Sequence, residues 1–312
     1  MSLVKNAWIG FSLAKWSLSE TVFYFLRGIA RELKISPDFF QKIYVNERDR
    51  VFKQRYLRKK GSLSYFDFQG AKIPDVSQFE DKFRGLQMCF GDTFFFLCVC
   101  NDIYSKDNIE KYKVLLSGDG GDGPYGYHDG NFNVTVSEGD IVIDAGAWIG
   151  DFSAYAANSN AYTYAFEPVK DTYEWLCKTA NLNKNIIPIK KGLGRINEKI
   201  NISINGKESG SLGNSVVFEH ETKGEEVEII TLDTFVKDNQ LNRVDFIKAD
   251  IEGAERDMLL GAKETLAKFA PKLALCTYHL PDDPVVLEKI ILEANPKYKI
   301  IHLEHKLFAM VL

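Results

Sequence analysis

From residue 139 onward, apolar runs of five to seven residues alternate with amphipathic stretches of about ten to fourteen. No other feature restricts the fold as much. Runs of that length read as strands buried on both faces, each followed by a helix that crosses back over the sheet. The expectation is an α/β fold with a mostly parallel, Rossmann-like sheet and a closing antiparallel hairpin. Strands are expected at 140–145, 161–166, 185–190, 244–249 and 272–278, with YKIIHL and LFAMVL as the hairpin. Helices are expected near 151–158, 169–182, 254–268 and 284–294, with a β-rich insertion between 198 and 230.

The first strand runs into VIDAGAWIGDFS, residues 142–153. Gly146 and Gly150 let the backbone turn tightly and approach a ligand, and the helix start at Asp151 points free N–H groups the same way. The spacing is GxxxG, whereas a dinucleotide cradle for a pyrophosphate reads GxGxxG. S-adenosylmethionine has no pyrophosphate, and its amino-acid end can use Asp144 as an acceptor. A structural turn without a ligand is the alternative. Glu167, in AFEP at the end of the second strand, lies 17 residues after Gly150. A carboxylate there can accept both ribose hydroxyls of a bound nucleoside.

FIKADIEGAE, residues 246–255, is unusual for carrying Lys248, Asp250 and Glu252 at the end of an apolar strand. If the strand persists to Glu252, the three project from one face. Ligands of open α/β sheets sit beyond such strand ends, so Asp250 and Glu252 are candidate reaction-site residues. Lys248 also reads as the partner of an acid, and Glu255 as either a helix-dipole residue or part of the site. CTYH places His279 at the end of the next strand, beside Asp250 and Glu252.

The remainder of the chain is less specific. Leu18, Val22, Phe25, Ile29 and Leu33 mark one face of an amphipathic helix. That face reads as core packing, as a homodimer interface, or as a membrane-surface helix anchored by Trp8 and Trp16. Residues 61–116 read as short strands and turns. The glycine-rich segment 118–130 reads as a connector between an N-terminal region (1–117) and the main domain (131–312). Within it, Tyr125 and Tyr127 offer aromatic faces on a glycine-rich hinge and are candidates for closing over a substrate. The net charge of −4 offers no reason to expect nucleic-acid binding. Five cysteines lack metal or disulfide spacing, which fits a reducing, cytoplasmic setting. No apolar run is long enough for a spanning helix.

Taken in order, DAGAWIG (144–150), FEP (166–168), TLD (231–233), KADIEGAE (248–255) and CTYH (276–279) resemble the FkbM family of methyltransferases. The resemblance covers about residues 125–310, and KADIEGAE is its most specific part. It implies a class I methyltransferase fold and S-adenosylmethionine-dependent transfer to a hydroxyl oxygen, often of a glycan or a secondary metabolite such as a polyketide. By position, Asp144, Gly146, Ala147, Gly150 and Glu167 carry over as cofactor residues, with Asp250 at the border of cofactor and acceptor. Asp250, Glu252 and His279 carry over as reaction-site residues. Trp148 stands where the family often has asparagine, and GLGR (192–195) replaces a stretch that often ends in Ser-Asp.

A sugar hydroxyl is a very weak acid, so its methylation needs a base or a metal. His279, with an ordinary pKa of about 6.5, is the natural base, oriented by Asp250. In the alternative, Asp250, Glu252 and His279 bind a divalent cation. Two other classes stay open: a nicotinamide-dependent oxidoreductase and a non-catalytic binding module.

Overall fold

The computed structural model describes residues 54–75, 103–105, 124–203, 224–303 and 305–312. The amphipathic face Leu18–Leu33, the cysteines Cys89, Cys98 and Cys100, and the proposed dimer and membrane contacts of the N-terminal region lie outside them.

Strands β1 (Leu57–Lys60), β2 (Leu63–Phe68) and β3 (Ala71–Pro74) form an antiparallel meander. Strands β4 (Tyr127–Asp129) and β5 (Phe132–Val134) form a hairpin. The chain then runs β6 (Ile141–Ala145), α1 (Asp151–Asn158), β7 (Tyr162–Phe166), α2 (Lys170–Leu182), β8 (Ile186–Ile189) and β9 (Gly192–Leu193). Next come β10 (Glu198–Ser203), β11 (Gly224–Ile230), α3 (Leu232–Asp238), β12 (Phe246–Ala249), α4 (Glu255–Leu260) and α5 (Lys263–Phe269). The last elements are β13 (Lys272–Cys276), α6 (Asp283–Ala294), β14 (Tyr298–Leu303) and β15 (Lys306–Val311).

Seven strands make one sheet in the order β14-β15-β13-β12-β6-β7-β8. Strands β13, β12, β6, β7 and β8 are mutually parallel, while β15 is antiparallel to both of its neighbours. This is the sheet that the alternating texture of the chain predicts. The chain winds outward from β6 through β7 to β8, then returns to lay β12 on the other side of β6. That reversal opens a crevice beyond the carboxyl ends of β6 and β12, the place where open α/β sheets bind ligands.

Side chains alternate across the sheet and feed two cores. On one face, Ile143, Ile247, Leu273 and Leu275 pack against α3 to α6. On the other, Val142, Phe246, Ala274 and Phe308 pack against Phe152 of α1 and against Tyr104, Tyr125 and Tyr127. Residues 124–130, expected as the second half of a connector, are therefore part of the main domain. The meander buries Phe66, Phe68, Ala71 and Ile73 against Ile149, Ala154 and Trp175. Asn183, just past α2, fixes this attachment by accepting from Lys72 N and donating to Lys72 O, at 3.1 and 2.6 Å.

The helix expected over 254–268 is two helices. A Cβ on Gly261 would stand 2.1 Å from the carbonyl oxygen of Gly194, so the chain passes too close there for a continuous, side-chain-bearing helix. The TLD segment builds a helix the sequence reading did not place. Thr231 Oγ1 caps α3 by accepting from Thr234 N at 3.0 Å, and Asp233 accepts from Glu264 N and Thr265 N at the start of α5. The β-rich insertion is present as the antiparallel pair β10–β11, with β9 parallel to β11. Among the described residues, no helix is long and apolar enough to cross a membrane.

Candidate active site

Asp144 and Lys248 are register partners on β6 and β12, which puts them side by side at the crevice. Both are buried, with Lys248 Nζ 3.1 Å from Asp144 Oδ1. Ser153 Oγ donates to Asp144 Oδ2 at 2.5 Å, and Lys248 Nζ donates to Gly146 O at 2.6 Å. Burial works against the charge on Lys248, but Asp144, Asp250 and Asp151 together hold its ammonium above the usual range. Strand β12 ends at Ala249, so Lys248, Asp250 and Glu252 do not share one strand face as expected. Lys248 is instead the ion-pair partner of an acid, and Asp250 and Glu252 lie in the loop beyond.

The glycine turn has a reason within the fold. Gly146 has φ +72, and a Cβ there would sit 1.9 Å from the carbonyl oxygen of Asp250. The turn is thus pressed against the end of β12. Gly150 has φ +91 and backs onto Leu176 and Thr179 of α2. The N–H groups of Gly146 and Ala147 both donate to Phe166 O, at 3.1 and 2.9 Å. Trp148 is left-handed at φ 49, a conformation to which asparagine is better suited.

Glu167 lies just past the end of β7 and is buried. Its carboxyl accepts from Trp148 N at 3.1 Å and Val169 N at 2.9 Å. Burial pushes its pKa up to about 8, against the lowering effect of those two donors and of Lys248. The residue read as the ribose acceptor is therefore locked onto the glycine turn itself, which fixes its position relative to Asp144.

The second half of the site forms where β12 and β13 end. Asp250 accepts from Tyr125 Oη at 2.6 Å through Oδ2 and from Tyr278 Oη at 3.2 Å through Oδ1. Burial disfavours its charge, yet Lys306, Lys248 and His279 hold its carboxyl well below the usual range. His279 Nε2 is 3.5 Å from both Asp250 Oδ1 and Glu252 Oε2, while Nδ1 is 3.1 Å from Glu255 Oε1. Glu255 is fully buried and also accepts from Ile251 N and Gly253 N, at 2.8 and 3.0 Å. It closes the loop over itself and stands beside His279, in the first turn of α4. Burial opposes protonation of His279, but Glu255, Asp250 and Glu252 outweigh it and push its pKa up to about 9. The free protein therefore carries an imidazolium at neutral pH, not the neutral ring expected from the sequence.

Two contributors, Tyr278 and Lys306, escape the sequence reading, and a third, Tyr125, stands elsewhere than expected. Tyr125 was expected on a hinge but is buried against Asp250. Tyr278 was passed over for its neighbour His279. Lys306 opens β15 and is 1% exposed, with Nζ 3.0 Å from Cys276 Sγ and 3.8 Å from the centre of the Tyr125 ring. A lysine at a hairpin base carries no sequence signal of burial. Tyr127 stacks on Phe308 in the core, so the two tyrosines do not form a pair at the site, and Tyr125 is the one that bonds Asp250.

The chain is similar to known proteins. The profile of the Methyltransferase FkbM domain matches residues 126–304. The hexuronic acid methyltransferase AglP of Haloferax volcanii is 26% identical over 166 residues, which span 51% of this chain and 64% of that protein. Among solved structures, the Methyltransferase FkbM of Methylobacillus flagellatus KT is 21% identical, covering 56% of this chain and 44% of its own, with a TM-score of 0.44. The Aeropyrum pernix fibrillarin solved with natively bound S-adenosyl-L-methionine is 12% identical, covering 81% and 84%, with a TM-score of 0.38.

Proposed function

This chain belongs to the FkbM methyltransferase family, and from that premise we propose that it methylates a hydroxyl oxygen of a sugar, using S-adenosylmethionine. The observation that carries the proposal is the adjacency of two half-sites at one crevice. Glu167 and Asp144 border the turn after β6, and the Asp250–Glu252–His279 cluster closes the ends of β12 and β13. The hexuronic acid relative supports a sugar as acceptor.

The residues of the first half suit the cofactor. Glu167 offers a buried carboxyl at the strand end where a nucleoside's vicinal hydroxyls would lie, and Asp144 offers an acceptor for an ammonium group. When bound, S-adenosylmethionine supplies an electrophilic methyl carbon. The chain's own task is to hold the acceptor oxygen in line with that carbon and to take up the hydroxyl proton. Asp250, kept ionised by Lys306 and Lys248 and oriented by two tyrosine hydroxyls, is fixed for the first task. His279 is already protonated at neutral pH, so the proton passes to the carboxylates beside it, of which Glu252 is open to solvent.

Calorimetry with S-adenosylhomocysteine and with NAD tests the cofactor. A mass increase of one methyl group on a uronic acid-containing glycan, dependent on S-adenosylmethionine, tests the reaction. Binding of NAD with no response to S-adenosylhomocysteine would replace the proposal with an oxidoreductase. S-adenosylhomocysteine binding with methyl transfer to no hydroxyl would withdraw the acceptor class.

A further inference from the structure

We propose that Asp250, Glu252 and His279 form a site for one divalent cation of the Mg²⁺ or Mn²⁺ type, with Glu255 as the carboxylate that aims the imidazole. Only the use of the cation rests on the methyltransferase reading; its binding does not.

Three carboxylates converge on one ring. Among the described residues, the group whose ligand atoms all lie within 4.8 Å of one another is Asp250, Glu255 and His279, and Glu252 Oε2 adds a third carboxylate 3.5 Å from Nε2. The His279 side chain is 7% exposed, and neither ring nitrogen makes a hydrogen bond, although carboxylate oxygens stand 3.1–3.5 Å away. Charge rather than formed hydrogen bonds holds the ring among the three carboxylates, so a cation can replace the Nε2 proton as their shared partner.

The neighbours divide the roles. Both oxygens of Glu255 are occupied by Ile251 N and Gly253 N, and Oε1 also faces His279 Nδ1. Glu255 is therefore placed as an orienting carboxylate, the usual outer partner of a metal-bound histidine. That leaves Nε2 facing Asp250 Oδ1 and Glu252 Oε2, each at 3.5 Å. Two donors each about 2.1 Å from a shared ion lie about 3.0–3.5 Å apart, for angles from a right angle to the tetrahedral value. Tyr125 and Tyr278 hold Asp250 from behind, as outer hydrogen-bond donors do in metal sites. Glu252 sits at φ 55, a left-handed conformation that a glutamate adopts only when its surroundings impose it. Its side chain is 21% exposed, which leaves an entry from solvent. Two carboxylates and one imidazole favour Mg²⁺ or Mn²⁺ over soft, thiolate-seeking ions. Three protein ligands leave positions open for an acceptor oxygen.

The test uses the full chain, stripped with a chelator and titrated with Mn²⁺ alone, with free Mn²⁺ followed by electron paramagnetic resonance. One Mn²⁺ per chain is expected. His279→Ala and Glu252→Gln should each weaken binding at least tenfold, and Glu255→Gln by about 10–100-fold through loss of ring orientation. Circular dichroism checks each variant's fold, and Glu252→Gln, on the part-exposed residue, is the variant least dependent on refolding. Glu167→Gln should bind Mn²⁺ as the wild type does while losing S-adenosylhomocysteine. Absence of saturable binding below about 1 mM overturns the site, as does stoichiometric binding unchanged in both Glu252→Gln and His279→Ala. Mn²⁺ binding with S-adenosylhomocysteine silent would uphold the cation site and remove the methyltransferase reading. S-adenosylhomocysteine binding without Mn²⁺ would do the reverse.

Discussion

Asp144 is already committed within the chain before any ligand arrives. It is the counter-ion of a buried lysine, and breaking a buried pair from one side leaves an uncompensated charge. Asp144→Ala should therefore cost about 3–5 kcal/mol of stability, measured by urea unfolding, on top of any loss of cofactor. Unchanged stability would mean that Lys248 finds water or another acid. Glu167 gives a pH signature. Its carboxyl is raised to about 8 in the fold from an ordinary 4.5. Its contribution is thus complete below about pH 4.5 and is lost as the pH rises through 8. The thermal midpoint of the ligand-free protein should fall across that window, and Glu167→Gln should flatten the fall. Measured above about pH 8, where the carboxylate is ionised, S-adenosylhomocysteine affinity should drop at least tenfold in the same variant, because charge-assisted bonds to hydroxyls are worth about 1.5–3 kcal/mol each. An identical pH slope in the variant would assign the titration to other groups.

At the scale of elements, the glycine turn and the meander make separable predictions. The neighbour of a Cβ at Gly146 is backbone on a central strand's end, which cannot give way, whereas at Gly150 it is the tips of Leu176 and Thr179. Both positions add the cost of a left-handed alanine, about 1–2 kcal/mol. Gly146→Ala should therefore be the more damaging in thermal denaturation, and it should displace Asp250 and so weaken the site. Equal effects would show that positive φ alone sets the requirement. Asn183 holds β3 to α2 by two hydrogen bonds to one residue. At about 0.5–1.5 kcal/mol each, Asn183→Ala should cost about 1–3 kcal/mol. Faster amide exchange should be confined to the meander, and exchange spread evenly over the sheet would contradict this role.

At the scale of the molecule, the unit that folds is larger than the domain drawn from sequence periodicity. Tyr125 supports Asp250, Tyr104 and Tyr127 cover Phe308, and the meander covers Ile149 and Trp175. A chain cut to residues 131–312 would expose both patches and lose one hydroxyl donor to the central acid. It should be less stable than the full chain, by the midpoint of chemical denaturation, and should bind the dye 1-anilinonaphthalene-8-sulfonate. A truncated chain with full stability and no dye binding would show that the covering residues are dispensable.

What the sequence determined alone was the sheet and the list of charged residues at its edge. Strand runs at 141–145, 162–166, 186–189, 246–249 and 272–276 were legible because burial on both faces demands unbroken apolar stretches. Glu167, Asp250 and His279 were legible because a charge at the end of such a run is costly unless it is used. Only the tertiary structure decided which charges meet. The pairing of Lys248 with Asp144, the turn of Glu255 onto His279, and the burial of Lys306 and Tyr125 depend on strand order, and strand order leaves no local trace. The break at Gly261 was hidden for the same reason: its cause, the carbonyl of Gly194, lies 67 residues earlier in the chain. Local periodicity reports how each segment is buried, and only packing reports against what.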